Sequence, residues 1–164
     1  MKHNKSSTIK RNPVTVILED IRSALNVGAI FRTCEAVLVQ QLILTGITPY
    51  PPHNKIPKTA LGAIENVPWN YEKDKSKIID KMSKEMDLVA IEITESATDL
   101  YKYNFPKNIG IILGNEISGI SNETLKKCVT TIKIPMYGQK ESLNVATSCG
   151  IVLYEIIRQW HFSK

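Results

Sequence analysis

Three polar segments each follow a short apolar run, and each holds residue types that could bind or activate a hydroxyl group. The first reads Glu19-Asp20-Ile21-Arg22-Ser23-Ala24-Leu25-Asn26-Val27-Gly28, with Arg32 about one turn further on. Arginine offers a planar fork of donors suited to a phosphate or a developing oxyanion. Asn26 is placed to cap a helix, and Gly28 permits close approach of another backbone. Taken alone, the stretch reads first as a capped helix with an exposed arginine. The second segment, Leu113-Gly114-Asn115-Glu116-Ile117-Ser118-Gly119, brackets a glutamate with glycines that let a ligand lie against the backbone. An ordinary loop with a solvated Glu116 is the plain alternative. The third runs Ile134-Pro135-Met136-Tyr137-Gly138 and then Ser142-Leu143-Asn144-Val145. Here Ser142 is a candidate N-cap for the last helix.

Several familiar chemistries find no support. The second segment is not G-x-G-x-x-G and is followed by no Walker lysine, so a phosphate cradle is a weak reading. No histidine lies near Ser142 and there is no G-x-S-x-G elbow for a hydrolase triad. A dinucleotide-dependent dehydrogenase needs a glycine fingerprint straight after the first strand, and residues 19–28 do not supply one.

The elements that must position these segments alternate between strand and helix. Strands are expected at residues 14–18, 41–45, 87–94, 108–113 and 131–135. Helices are expected at 26–37, at 57–66 in short form, at 75–86, from Ser121 to 128, and over 142–160. A proline-rich loop, Pro49-Tyr50-Pro51-Pro52 through Pro57 by pattern, reads in sequence as Pro49-Tyr50-Pro51-Pro52-His53-Asn54-Lys55-Ile56-Pro57 and is too long to be a mere connector. This alternation argues for an α/β fold, a mainly parallel sheet with helices on both faces. Ligands in such folds bind beyond the carboxyl ends of the strands, where all three polar segments lie. The last helix carries two adjacent apolar stripes: Leu143, Ala146, Gly150, Leu153, Ile157 and Trp160, and then Val145, Cys149, Val152 and Ile156. One stripe is expected to meet the sheet and the other a second subunit; a deeply buried core helix is the equal alternative.

Composition bounds the rest. Residues 1–12 read as a basic N-terminal tail carrying Lys2, Lys5, Lys10 and Arg11, and residues 13–164 as a single domain. The net charge of +5 permits a polyanionic partner without requiring one. No apolar run approaches the ~20 residues that cross a bilayer, and the polar start is not a secretory signal. Three cysteines without paired spacing argue against a disulfide framework or a metal site and fit a reducing cytoplasm.

Taken together, Asn26-Val27-Gly28-Ala29-Ile30-Phe31-Arg32, Ile112-Leu113-Gly114-Asn115-Glu116-Ile117-Ser118-Gly119 and Ile134-Pro135-Met136-Tyr137-Gly138 with Ser142-Leu143-Asn144-Val145 strongly resemble the SpoU (TrmH-like) group of SPOUT methyltransferases. The resemblance covers essentially the whole chain after the tail. It implies a deep trefoil knot at the C-terminal end, S-adenosyl-L-methionine as cofactor, and a homodimer with its site at the interface. It implies methylation of a ribose 2′-hydroxyl in RNA, and no metal. Arg32 would act at the reacting hydroxyl, Asn26 would hold Arg32 or the ribose, and Glu116 would orient the arginine or another polar group. Ser142 and Asn144 would shape the pocket. Leu113, Gly114, Ile134, Met136, Gly138, Ser142 and Leu143 would line the cofactor. With no separate RNA-binding domain in these residues, tRNA is favoured over rRNA. An rRNA methyltransferase and a non-catalytic RNA-binding relative are the alternatives.

Overall fold

Apolar residues without polar alternation make a strand buried on both faces. Val14-Thr15-Val16-Ile17-Leu18 does so at the centre of the computed structural model, which describes residues 9–163. Around β1 (Asn12–Glu19) the sheet has seven strands in the order β3-β2-β1-β6-β4-β7-β5. The others are β2 (Val39–Thr45), β3 (Trp69–Glu72), β4 (Asp87–Ile91), β5 (Thr98–Asp99), β6 (Ile109–Leu113) and β7 (Thr130–Lys133). Every pairing between them is parallel, so all the carboxyl ends emerge along one edge of the sheet.

The two strands that patterning missed, β3 and β5, are the two edges of the sheet. Both are short and half-buried. An edge strand has one neighbour and need not be continuously apolar, so its sequence carries little signal.

Successive side chains of a strand point to opposite faces, and the core divides accordingly. Val14, Val16, Leu18, Leu42, Leu44, Ile111 and Leu113 pack on one face beneath α1 (Ala24–Ala36), α2 (Pro57–Ala60) and α5 (Val145–Phe162). Ile17, Ile43, Leu88, Ala90 and Ile112 pack on the other, against α3 (Lys75–Glu85) and the region of α4 (Asn122–Leu125). In α3 the spacing of Ile78, Ile79 and Met82 gives a single apolar face, and Asp74 caps its start by accepting from the Lys77 N–H.

Arg11, assigned to the tail by sequence, is tied to this fold. Its guanidinium donates to the Asn66 carbonyl at 2.7 Å and the Val39 carbonyl at 3.3 Å. Lys2 and Lys5 lie outside the described residues. Among the described residues, no helix is long and apolar enough to cross a membrane.

Candidate active site

The site grows from the start of α1. Sequence reading made Asn26 the cap of this helix, but Ser23 takes that place: its hydroxyl oxygen accepts from the Asn26 N–H at 3.2 Å. The helix therefore starts earlier than expected, and the Asn26 side chain is released for other work. Its amide nitrogen donates to Glu116 Oε1 at 3.1 Å, and its amide oxygen accepts from Asn144 Nδ2 at 3.1 Å.

Glu116 reaches back from the loop after β6 to collect two backbone donors just ahead of α1. The Arg22 N–H donates to Oε2 at 2.8 Å, and the Ser23 N–H to Oε1 at 3.1 Å. A carboxylate at a helix N-terminus is also favoured by the helix dipole. Burial alone would raise this carboxyl, but the Arg22 N–H, the Asn26 amide and the Ser23 N–H outweigh it. The group is held below the usual carboxylate range.

Asn144 ties in the third segment. Ser142 was the expected cap of α5, yet Asn144 is the cap observed, its oxygen accepting from the Ala146 and Thr147 N–H groups at 2.9 and 3.2 Å. Ser142 is thereby left outside the helix, on the wall of a cleft. Glu116, Asn26 and Asn144, distant in sequence, form one hydrogen-bonded chain.

The cleft opens at the carboxyl ends of β4, β6 and β7 and has a volume of about 760 Å³. That falls in the ~300–1,000 Å³ range of small-molecule sites. Leu113, Gly114, Ile134, Met136, Ser142 and Leu143, all expected to line a cofactor, are on its wall, together with Glu116 and Asn144. Gly138 is not; a Cβ there would meet nothing within 4 Å. Nor are Asn26 and Arg32. Arg32 is exposed and has no side-chain partner among the described residues. At 3.6 residues per turn it points roughly 120° around α1 from Asn26.

Gly114 also has a use within the loop itself. A Cβ there would lie 2.5 Å from the Gly119 carbonyl carbon and 2.6 Å from the Ile120 nitrogen. Its missing side chain lets the loop after β6 fold back on itself before any ligand arrives. Sequence reading gave no role to Asn115, which holds that loop. Its amide nitrogen donates to the Asp20 carbonyl at 2.8 Å, while its oxygen accepts from the Ile117 and Ser118 N–H groups. An asparagine beside a glycine just past the strand end was the available signal.

A model of the SpoU rRNA Methylase family matches residues 13–154. This chain belongs to that family. It is 33% identical over 149 residues to the 23S rRNA (guanosine-2′-O-)-methyltransferase RlmB of Coxiella burnetii, covering 88% of this chain and 58% of that relative. Among solved structures, the AdoMet-bound rRNA methyltransferase of Sinorhizobium meliloti superposes with a TM-score of 0.83 at 25% identity, covering 94% of this chain and 59% of that one. The A. aeolicus TrmH/SpoU tRNA modifying enzyme superposes with a TM-score of 0.80 at 26% identity, covering 92% of this chain and 76% of that one. The chain thus spans about three-fifths of the length of the RlmB relative it matches.

Proposed function

We propose that this SpoU-family chain is an S-adenosyl-L-methionine-dependent RNA methyltransferase that acts on a ribose 2′-hydroxyl, with tRNA as its substrate. The observation that carries this is the Glu116–Asn26–Asn144 chain, which gathers all three polar segments beside one cleft. The cleft suits the cofactor: Leu113, Ile134, Met136 and Leu143 offer apolar surface to an adenine ring, while the strand-end backbone offers donors and acceptors to its edges. When bound, the cofactor supplies an electrophilic methyl group on a sulfonium.

The protein's task is then to hold the 2′-oxygen near that methyl and to ease loss of its proton. Arg32 is the group for the hydroxyl. It stays charged in a protein, which suits stabilising an oxyanion or fixing the neighbouring phosphate. Glu116, Asn26 and Asn144 act as positioning residues, fixing the start of α1 relative to the cleft and so setting where Arg32 stands.

Because Arg32 is exposed and off the wall of its own cleft, the reading includes a homodimer with the site between subunits. Leu25, Arg32 and Ala36 lie in one exposed line along α1, as Thr147, Tyr154 and His161 do along α5. Leu25 is 46% exposed and Tyr154 55%. These two lines are the faces a partner would cover. The reading also includes the family's C-terminal trefoil knot, expected around the neighbouring strands β6, β4 and β7. The likeness to a tRNA modifying enzyme over 76% of its length supports tRNA; the RlmB relative keeps rRNA as the second reading.

The test is transfer of a labelled methyl from S-adenosyl-L-methionine to purified tRNA and, separately, to rRNA lacking 2′-O-methylation. Label is expected in tRNA, at one nucleotide whose 3′ linkage resists alkali. Label in rRNA alone would move the substrate. RNA binding without transfer to either would make the chain a non-catalytic relative.

A further inference from the structure

Glu92 stands on the cleft wall, directly after β4, and has had no part in the site so far. Both of its oxygens are pinned by backbone. The Ile93 N–H donates to Oε1 at 2.9 Å, and the Ile120 N–H donates to Oε2 at 3.1 Å. A carboxylate offers about four lone-pair sites, so each oxygen keeps a second one free.

The neighbouring polar groups are more fully engaged. Glu116 receives three donors from the start of α1. The Asn115 oxygen receives two N–H groups, and its nitrogen is given to the Asp20 carbonyl. Asn144 uses its oxygen on α5 and its nitrogen on Asn26. Lys133 is paired with Asp99 across to β5. Glu141 is an exposed residue of the loop before α5. Glu92 is the cleft carboxylate that sits on a strand end, has its direction fixed by two N–H groups, and retains acceptor capacity.

Such a group suits a ligand that presents two hydroxyl donors side by side. Two parallel O–H···O⁻ bonds are charge-assisted and fix orientation as well as adding affinity. Loop and carboxylate are also built together, since a side chain at Gly119 would run into Glu92 Oε2. We infer that Glu92 is a cofactor-binding residue whose carboxylate receives the 2′- and 3′-hydroxyls of the cofactor's own ribose. This rests on the cofactor reading above and assigns the ribose subsite within it.

The test is calorimetric, with S-adenosylhomocysteine and its 2′,3′-dideoxy counterpart as probes. Against the unaltered protein, the dideoxy ligand is expected to bind roughly ten- to a hundredfold more weakly, the usual effect of losing bonds to a charged group. Glu92→Ala should weaken S-adenosylhomocysteine by a similar factor and leave the dideoxy ligand almost unchanged, so that discrimination between the two disappears. Glu92→Gln, which keeps the shape and an acceptor for the Ile120 N–H, should lose most of that discrimination. Equal binding of both ligands by the unaltered protein overturns the assignment without any variant, as does full discrimination retained in Glu92→Gln. If the unaltered protein binds neither ligand, the cofactor reading falls and this assignment with it.

Discussion

Arg32 and Glu116 illustrate two ways a side chain can matter to one site. Arg32 has no partner within the described residues, so its replacement should cost the fold little. Arg32→Ala is expected to slow methyl transfer by ~10²–10³-fold under single-turnover conditions, as loss of one oxyanion-stabilising donor commonly does. Its affinity for S-adenosyl-L-methionine, measured by calorimetry, should be unchanged. A near-wild-type rate would reduce Arg32 to a solvated arginine on a capped helix. Glu116 is the opposite case, because its bonds are internal. Its carboxyl is held below its ordinary value of about 4.3. Its contribution is therefore complete above that value and is lost as pH falls through the lower folded-state value. The difference in thermal midpoint between wild type and Glu116→Gln should be constant near neutrality and shrink below about pH 4.3. A difference that persists unchanged to pH 3 would show that the charge is not what anchors α1.

At the scale of elements, the loop after β6 and the caps of α1 and α5 decide whether the cleft exists. Gly114→Ala should destabilise the protein by about 1–3 kcal/mol, because the added methyl meets the Gly119–Ile120 backbone. It should also weaken cofactor binding. Gly138→Ala, in open space, should stay within about 0.5 kcal/mol of wild type in denaturant unfolding. A loss of cofactor affinity at Gly138 would then report contact and not a disturbed loop. These elements were legible in the sequence to different depths. The buried strands β1, β2 and β6 were visible as apolar runs, and the amphipathic α3 by its period. Both caps on the site helices were misread, each by two or three residues, for the same reason. Ser23 and Asn26, like Ser142 and Asn144, are pairs of capable capping residues in one short stretch. Local sequence does not rank them; the tertiary partners Glu116 and Asn144 do, by claiming the Asn26 side chain. Glu92 was passed over because a polar residue at the end of an apolar strand is ordinary until the strand's neighbours are known.

For the whole molecule, the proposed homodimer would cover the exposed lines on α1 and α5, and a two-fold assembly is the commonest closed arrangement. Sedimentation at micromolar concentration is expected to give about twice the 18.4 kDa chain mass. If Arg32 serves the partner's cleft, two impaired variants should rescue each other. Mixing Arg32→Ala with a cofactor-binding variant such as Gly114→Ala should raise activity in the heterodimer well above that of either variant alone. An active monomer would defeat both expectations.

The order of the strands also sets a timetable. β1 lies between β2, which follows it closely, and β6, which is made much later. Asp20 and Asn115, joined at the ends of those two strands, are 95 residues apart. At a synthesis rate of ~5–20 residues per second, one side of β1 waits about 5–20 s for its partner. During that interval the run Val14-Thr15-Val16-Ile17-Leu18 presents an unpaired, apolar edge, the kind that recruits other chains. Emerging chains of this protein are therefore expected to gain from a holdase. Their yield should depend more steeply on expression temperature and chaperone supply than the stability of the finished fold would indicate.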